Sequence, residues 1–156
     1  MKTRPLRSFL FVPADNERLL QSAIAKPCDV VILDLEDGTH PSRKTLARST
    51  LREGIQRIAA AGKKAAVRIN GDLDTAVTDL RVAVCEGLGL VLLPKVEHAR
   101  DVQLLSGLVA ALETAAGMAA GQVRFMLQIE SVAALPRLYE IAAADAFTTT
   151  AGGDDA

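Results

Sequence analysis

Short apolar runs alternate with segments of helical spacing along almost the whole 156-residue chain. The runs are "SFLFV", "VVILD", "KAAVRI", "LVLL", "VRFMLQI" and, more weakly, "AFTTT", and each has the length and composition of a buried β-strand. The pattern predicts about six strands and about five intervening helices, at a repeat of roughly 25 residues. Because strands that alternate with helices form parallel sheets with right-handed crossovers, we predict an α/β protein.

Apolar residues three or four positions apart mark the predicted helices and share one face of each. Asp15 or Asn16 is suited to cap the first helix. Pro41-Ser42 begins the second helix and Gly62 ends it. The predicted faces comprise Leu19, Leu20, Ala23 and Ile24; Ala47, Leu51, Ile55 and Ile58; Leu80 and Val84; Val102, Leu105, Val109 and Leu112; and Val132, Leu135 and Leu138.

Two parallel architectures fit this order of elements. A doubly wound open sheet is normal at this length, whereas a (β/α)₈ barrel typically needs about 250 residues and would be incomplete here. Polar residues, however, follow five consecutive strands, and a barrel uses this whole rim while an open sheet uses mainly its switch point. Length therefore favours the open sheet, and the polar residues favour the barrel. These residues are Asp34, Glu36, Asp37, Arg68, Asn70, Pro94, Lys95, Glu97, Glu130, Asp154 and Asp155.

Composition restricts the classes of partner. Hydrophobic residues make up 49% and charged residues 24%, which is typical of a soluble globular domain. A net charge of −1 gives no electrostatic basis for binding nucleic acid or an anionic membrane. No stretch is long and apolar enough to span a bilayer. Cys28 and Cys85 lie far apart, and we expect two reduced, buried thiols in a cytoplasmic protein.

Several common site motifs are missing. The sequence contains no G-x-G-x-x-G, no G-x-x-x-x-G-K-[ST] and no G-x-S-x-G, so dinucleotide, P-loop and serine-hydrolase functions lack their usual sequence support. His40 and His98 are isolated from each other and from the cysteines, which argues against a zinc site.

Glu130 and the terminal acids form a candidate metal site. Neighbouring strands lie about 4.8 Å apart, so carboxylates at the ends of strands five and six could share one ion if these strands are adjacent. Magnesium prefers oxygen ligands and usually takes one or two carboxylates. From spacing alone, a helix-capping role for Glu130 and a solvated loop at Asp154-Asp155 fit equally well.

Arg68 ends an apolar strand, where a guanidinium is costly to bury unless it pairs with a carboxylate or an anionic ligand. Glu36 or Asp37, which follow the preceding strand, could be its partner. Lys95, in "LLPKVE", presents the same choice between substrate binding and a structural ion pair.

The segments "RSFLFVPADNERLLQSA", "DVVILDLEDGTHPSRKTLAR", "VRIN", "LVLLPKVE", "LQIES" and "AGGDDA" resemble, in order and spacing, the citrate lyase β subunit and malyl-CoA lyase family. The resemblance implies a (β/α)₈ barrel, here an incomplete TIM barrel of about six β/α units in one domain over residues 1–156. It also implies Mg²⁺-dependent cleavage of a carbon–carbon bond in a 3-hydroxyacyl-CoA such as citryl-CoA or malyl-CoA. The expected products are acetyl-CoA and an α-keto acid, so an acyl-CoA thioester and an α-keto acid are the expected partners.

The resemblance also assigns residues. Glu130 and Asp155 match the family's magnesium ligands, with Asp154 where a Glu is usual. Arg68 matches the substrate-binding arginine and Glu36 an acid that supports it. Asp37 matches a position that is a catalytic His in related aldolases. We therefore predict Arg68, Glu36 and Asp37 as catalytic residues and Arg68 and Lys95 as substrate-binding residues.

The chain departs from the family pattern in three ways. Ala14 replaces a usual Gly, "EDGTHP" replaces the commoner "EDAVAP", and the sequence stops at the segment that matches the family's second magnesium ligand. The resemblance thus implies a fragment without the last two β/α units. Open strand edges would then favour association, and a homo-oligomer is predicted. A non-catalytic scaffold and a receiver-like open sheet are the alternatives.

Overall fold

A computed structural model describes residues 5–144. The strands among them form a five-stranded, fully parallel sheet. All five strongly apolar runs are strands, as predicted, whereas the weaker sixth run lies outside the described residues. Each strand pairs with the next along the chain. The strands are β1 (Phe9–Pro13), β2 (Val30–Asp34), β3 (Lys64–Arg68), β4 (Leu88–Leu93) and β5 (Arg124–Leu127).

The strand order is β1-β2-β3-β4-β5, without reversal. Doubly wound sheets, including the receiver-like kind, reverse their order at a switch point, whereas barrels add strands in sequence. Among the described strands this order therefore argues against the open-sheet alternatives. The parallel α/β class is confirmed, and the incomplete barrel stays a prediction. The helices are α1 (Glu17–Ala25), α2 (Lys44–Ala60), α3 (Leu73–Ala83), α4 (Ala99–Ala115) and α5 (Leu138–Ala142), with 3₁₀ turns at Pro41–Arg43 and Val132–Arg137.

The two faces of the sheet are buried by different means. On one face, alternate strand residues such as Val31, Val67 and Val91 pack against apolar residues of the helices in a single core. On the other, a cluster of strand residues alone contains Ile32 and Leu92, and no helical residue of the described chain belongs to it. We call these the helix face and the inner face. A sheet with helices on one face only is the arrangement of a barrel wall.

Local sequence explains the helix boundaries. Asn16 caps α1 by accepting a hydrogen bond from the backbone N–H of Leu19, as one of the two predicted caps. Asp72 caps α3 in the same way, through the N–H of Thr75. Gly62, with φ of 73°, follows α2 in the left-handed conformation that glycine adopts without steric cost.

The prediction that the last helix buries its apolar face is wrong. Val132, Leu135 and Leu138 are exposed, and Val132 retains 83% of its accessible surface. Ala134 and Ile141 are the residues buried in the core instead. The segment begins as a 3₁₀ turn that contains Pro136, in which side chains three residues apart share a face, and the face that holds these three residues does not pack on the core.

Two further predictions concern the outside of the molecule. No helix within residues 5–144 combines the length and apolarity needed to cross a membrane. Among the described strands, β1 and β5 each have a single neighbour, so each presents one edge without a strand partner. The predicted homo-oligomer stays a prediction.

Candidate active site

Arg68 forms a two-pronged ion pair with Asp34 across the β2–β3 register. The Arg68 Nε–H donates to Asp34 Oδ1 at 2.8 Å and an Nη2–H donates to Oδ2 at 2.6 Å. The two residues are direct register partners, and both side chains belong to the inner face. The carboxylate is 4% exposed and the guanidinium 13%, which makes this a nearly buried pair.

Asp34 also fixes the loop that follows β2. Its Oδ1 accepts the backbone N–H of Glu36 at 2.9 Å, and its Oδ2 accepts that of Gly38 at 2.8 Å. A Cβ at position 38 would overlap the Asp34 carboxylate, so the close approach of this backbone requires glycine. Thr39 Oγ1 donates to the Asp34 carbonyl oxygen at 2.6 Å. One buried carboxylate thus organises both the arginine and the loop.

Glu36 lies between two cations. Its Oε2 is 3.3 Å from Arg68 Nη1, and its Oε1 is 2.8 Å from Lys95 Nζ. The residue is 6% exposed, yet Oε2 has no hydrogen-bond donor of good geometry. A buried acceptor without a donor can still accept a hydrogen bond from a ligand or a water molecule. The predicted proximity of Glu36 to Arg68 is confirmed.

Asp37 does not contact Arg68. Its carboxylate is exposed and lies 3.7 Å from Lys95 Nζ. Sequence reasoning offered Glu36 or Asp37 as the partner of Arg68, but Asp34 makes the shorter, two-pronged contact. Asp34 ends β2 directly opposite Arg68, while Asp37 lies beyond the turn, where its side chain is turned toward solvent.

Lys95 connects the ends of β4 and β5. Its backbone has φ of 52°, the one positive φ of a non-glycine residue in the described chain. Its backbone N–H donates to Glu130 Oε2 at 3.0 Å, while its ammonium reaches back to Glu36. A left-handed residue without a glycine costs about 1 kcal/mol and is often found at functional sites.

The carboxylates keep both cations charged. The hydrogen bond from Arg68 to Asp34 raises the pKa of the guanidinium, an effect that outweighs its partial desolvation. The hydrogen bond to Glu36 and the charges of Glu36 and Asp37 raise the pKa of Lys95. Phe11 lies under the guanidinium, with its ring centroid 4.9 Å from the Arg68 Cζ, a cation–π distance.

Glu130 lies just beyond the end of β5 and joins this cluster through the backbone N–H of Lys95. The 3₁₀ turn after it is capped by Ser131, which accepts the N–H of Ala133, so Glu130 is not the cap that one alternative supposed. The second predicted ligand, Asp155, and its neighbour Asp154 lie outside the described residues. Within residues 5–144 no group of three His, Cys, Asp or Glu side chains could hold a metal ion.

The donor set nevertheless suits magnesium. Glu130 supplies a carboxylate, and Mg²⁺ commonly takes one or two carboxylates and keeps several waters. Gln128, two positions earlier, has a buried Oε1 without a donor, and strand alternation places it on the same side as Met126 of the inner-face cluster. Metal-bound waters would donate to such acceptors. Sequence reasoning missed Gln128, because an amide in an apolar run carries no signal of its own.

A second buried network lies on the helix face. Asp79 of α3 accepts from Arg48 Nε at 2.7 Å and from the Asn70 N–H and Nδ2 at 2.9 and 2.7 Å. Lys44 donates to the amide oxygen of Asn70. Asn70 in turn lines a cleft of about 210 Å³ between the loops after β3 and β4, which Lys95 borders.

Comparison with known proteins identifies the family of this chain. The chain belongs to the HpcH/HpaI aldolase/citrate lyase family, whose model matches residues 7–155. An L-malyl-CoA/beta-methylmalyl-CoA lyase of Cereibacter sphaeroides is 40% identical over 146 residues, which cover 90% of this chain and 45% of that protein. The citrate lyase subunit beta of Escherichia coli is 33% identical over 142 residues, 90% of this chain and 47% of its own length.

The chain spans about half the length of the curated relatives it matches. Among solved structures, protein CitE from Mycobacterium tuberculosis, in complex with magnesium and pyruvate, is 33% identical with a TM-score of 0.65, covering 90% of this chain and 51% of that one. Malate synthase from Haloferax volcanii has a TM-score of 0.78 at 18% identity over 96% of this chain and 49% of its own, a likeness of fold alone. The family predicted from sequence motifs is confirmed.

Proposed function

We propose that this protein is a Mg²⁺-dependent carbon–carbon lyase that cleaves a 3-hydroxyacyl-CoA of the malyl-CoA or citryl-CoA type to acetyl-CoA and an α-keto acid. The relatives named as malyl-CoA lyase and citrate lyase subunit beta support the reaction class. The observation that carries the proposal is the Arg68 guanidinium, held at the carboxyl end of β3 beside Glu36. Glu36 in turn contacts Lys95, whose backbone N–H donates to Glu130 just beyond the end of β5.

Arg68 is suited to bind the carboxylate of the substrate. Asp34 takes its Nε–H and an Nη2–H, which leaves the Nη1 side next to the buried, donor-free Oε2 of Glu36. A planar guanidinium binds a carboxylate through paired N–H donors. Its positive charge also offsets the negative charge that develops on the substrate oxygen as the bond breaks.

Glu130 and Asp155 are the proposed magnesium ligands. When bound, Mg²⁺ supplies a Lewis acid and a template for the carboxylate and hydroxyl oxygens. The Lys95 N–H orients Glu130 by a hydrogen bond to one of its oxygens. A relative of 33% identity was solved with magnesium and pyruvate, and this supports the same pairing of ion and keto acid here.

The reaction needs one proton removed and one returned. The hydroxyl of the substrate loses its proton, its C–O bond becomes a keto group, and the carbon–carbon electron pair leaves on the thioester enolate. Protonation of that enolate gives acetyl-CoA. We propose that Arg68, Glu36 and Asp37 are catalytic residues, with Glu36 supporting Arg68 by an ion pair, and that Lys95 contacts the anionic substrate.

The ammonium of Lys95 lies between the carboxylates of Glu36 and Asp37. Lys95 is half exposed and lies within 4 Å of two carboxylates, so its charge serves both as a partner of Glu36 and as a contact for an anionic ligand. We propose also that the protein acts in the cytoplasm, which its two free cysteines support. We further propose a homo-oligomer, which the edge of β1 without a partner among the described strands supports.

The test is the Glu130→Ala variant of the intact protein, assayed with malyl-CoA and citryl-CoA in the presence of Mg²⁺. Cleavage should be abolished, whereas Glu140→Ala, an exposed acid of α5, should cleave at the wild-type rate. Wild-type turnover by Glu130→Ala would contradict the assignment. The assay measures CoA and keto acid separately, because a (3S)-malyl-CoA thioesterase is 33% identical over 88% of the chain and hydrolysis would release CoA without a keto acid.

A further inference from the structure

Asp34 is a buried carboxylate to which the family resemblance assigned no role. It receives hydrogen bonds from the Arg68 side chain and from the backbone of Glu36 and Gly38. Every one of these donors belongs to the candidate site or to the loop that carries it. The Asp34 side chain is 4% exposed, which leaves almost none of its surface for direct contact with a ligand.

We infer that Asp34 is the positioning residue of this site: it fixes the rotation of the Arg68 guanidinium and anchors the 36–38 loop, so that Arg68 Nη1 and Glu36 present a preformed edge to the ligand. A guanidinium on a flexible side chain has many rotamers, and a two-pronged contact removes most of them before the ligand binds. The paired geometry requires both oxygens of Asp34, since each contacts the arginine and a loop amide.

The arrangement has a directional consequence. Asp34 occupies the Nε side of the guanidinium, and Phe11 covers one of its faces at 4.9 Å. These contacts leave the Nη1 side, next to Glu36, as the edge of the guanidinium that Asp34 does not occupy. The identity of the ligand, an α-keto acid, rests on the proposed function; the orientation of Arg68 does not.

The first test measures that orientation without a ligand. Exchange of the Arg68 Nε–H with water is followed by ¹⁵N NMR, with the resonance assigned by its loss in Arg68→Lys. We expect exchange at least about tenfold slower than for Arg100, whose side chain is 82% exposed, and fast exchange in Asp34→Asn. Equal exchange for Arg68 and Arg100 in the wild-type protein would overturn the inference, and this comparison needs no variant of Asp34 to fold.

The second test measures binding of pyruvate in the presence of Mg²⁺ by titration calorimetry. Asp34→Asn should weaken binding about tenfold, whereas Asp79→Asn, the matched buried aspartate on the helix face, should stay within about twofold. If Asp34 acts through Arg68, the double variant Asp34→Asn/Arg68→Ala should bind no more weakly than Arg68→Ala. Fully additive losses, or equal losses in Asp34→Asn and Asp79→Asn, would overturn a positioning role.

The two failures are distinguishable. If Arg68→Ala binds pyruvate as the wild-type protein does, the proposed function fails, while the exchange measurement still decides whether Asp34 orients the arginine. If Arg68→Ala loses binding but the wild-type Arg68 Nε–H exchanges rapidly, the function stands and the inference about Asp34 is wrong.

Discussion

Two buried aspartate–arginine pairs occupy opposite faces of the sheet, and they differ in what surrounds them. Asp79–Arg48 on the helix face is a closed network: the aspartate is fully buried, and its donors come from α2 and from Asn70. Asp34–Arg68 on the inner face is open: it continues to Glu36, whose Oε2 has no donor, and to the half-exposed Lys95. An aspartate–arginine pair is thus structural where all of its partners are satisfied, and we propose that it binds a ligand where one acceptor is not.

The largest expected effect tests the closed pair. Asp79→Ala leaves the Arg48 guanidinium mostly buried without its carboxylate and removes the acceptor of Asn70. We expect the free energy of unfolding to fall by about 3 kcal/mol in urea denaturation. Asp101→Ala, which removes an exposed ion pair with Arg100, should change it by less than about 0.5 kcal/mol. Comparable losses in both variants would show that the helix-face network is not the stabilising feature.

The next effect tests the loop that Asp34 anchors. Gly38→Ala places a methyl group against the Asp34 carboxylate and should cost about 2 kcal/mol of stability, because the loop or the carboxylate must move. Gly107→Ala, in the interior of α4 with no atom within 4 Å of the added carbon, should instead stabilise the protein by up to about 1 kcal/mol. The two variants are compared by thermal unfolding, and a stabilising Gly38→Ala would refute the close approach.

A third prediction isolates the backbone of Lys95. Lys95→Ala and Lys95→Gly both remove the ammonium from Glu36, but only glycine adopts φ of 52° without steric cost. The glycine variant should therefore be the more stable of the two by about 1 kcal/mol in chemical denaturation. Equal stability would show that position 95 is not strained in the folded protein.

The smallest expected effect is the pH dependence of stability that arises from Asp72 and Asp29, which lie outside both aspartate–arginine pairs. Hydrogen bonds from Thr75 lower the pKa of Asp72, and those from the Arg7 backbone and from Ser8 lower that of Asp29, each below the ordinary value of 3.8. Groups of lowered pKa stabilise the fold above that value, and their contribution is lost as pH falls through the folded pKa. Asp72→Asn should therefore be less stable than the wild-type protein at pH 7, and this difference should shrink as the pH falls below the ordinary value of 3.8. A difference that persists unchanged in acid would contradict this.

The strands could be predicted from sequence because buried parallel strands are continuous apolar runs, as in "VVILD". The partner of Arg68 could not, because the Asp34–Arg68 contact depends on the register of β2 against β3, which apolar runs do not specify. Sequence reasoning therefore looked to the loop acids Glu36 and Asp37. The left-handed backbone at position 95 could not be predicted either, because the residue there is a lysine and not the glycine that usually marks this conformation.

The exposed residues of the last segment were missed for a different reason. Val132, Leu135 and Leu138 have helical spacing, but Pro136 and the capping Ser131 favour a 3₁₀ turn there. Spacing shows that three apolar side chains share a face in either kind of helix, but it does not show whether that face packs on the core.

The most direct test of the central claim is a crystal structure of the protein in the presence of Mg²⁺ and pyruvate. We predict one Mg²⁺ bound by Glu130 and Asp155, with the pyruvate carboxylate within hydrogen-bond distance of Arg68 Nη1 and Asp34 still paired with the Nε side. A metal ion bound away from Glu130, or carboxylates of Glu130 and Asp155 too far apart to share one ion, would contradict the account.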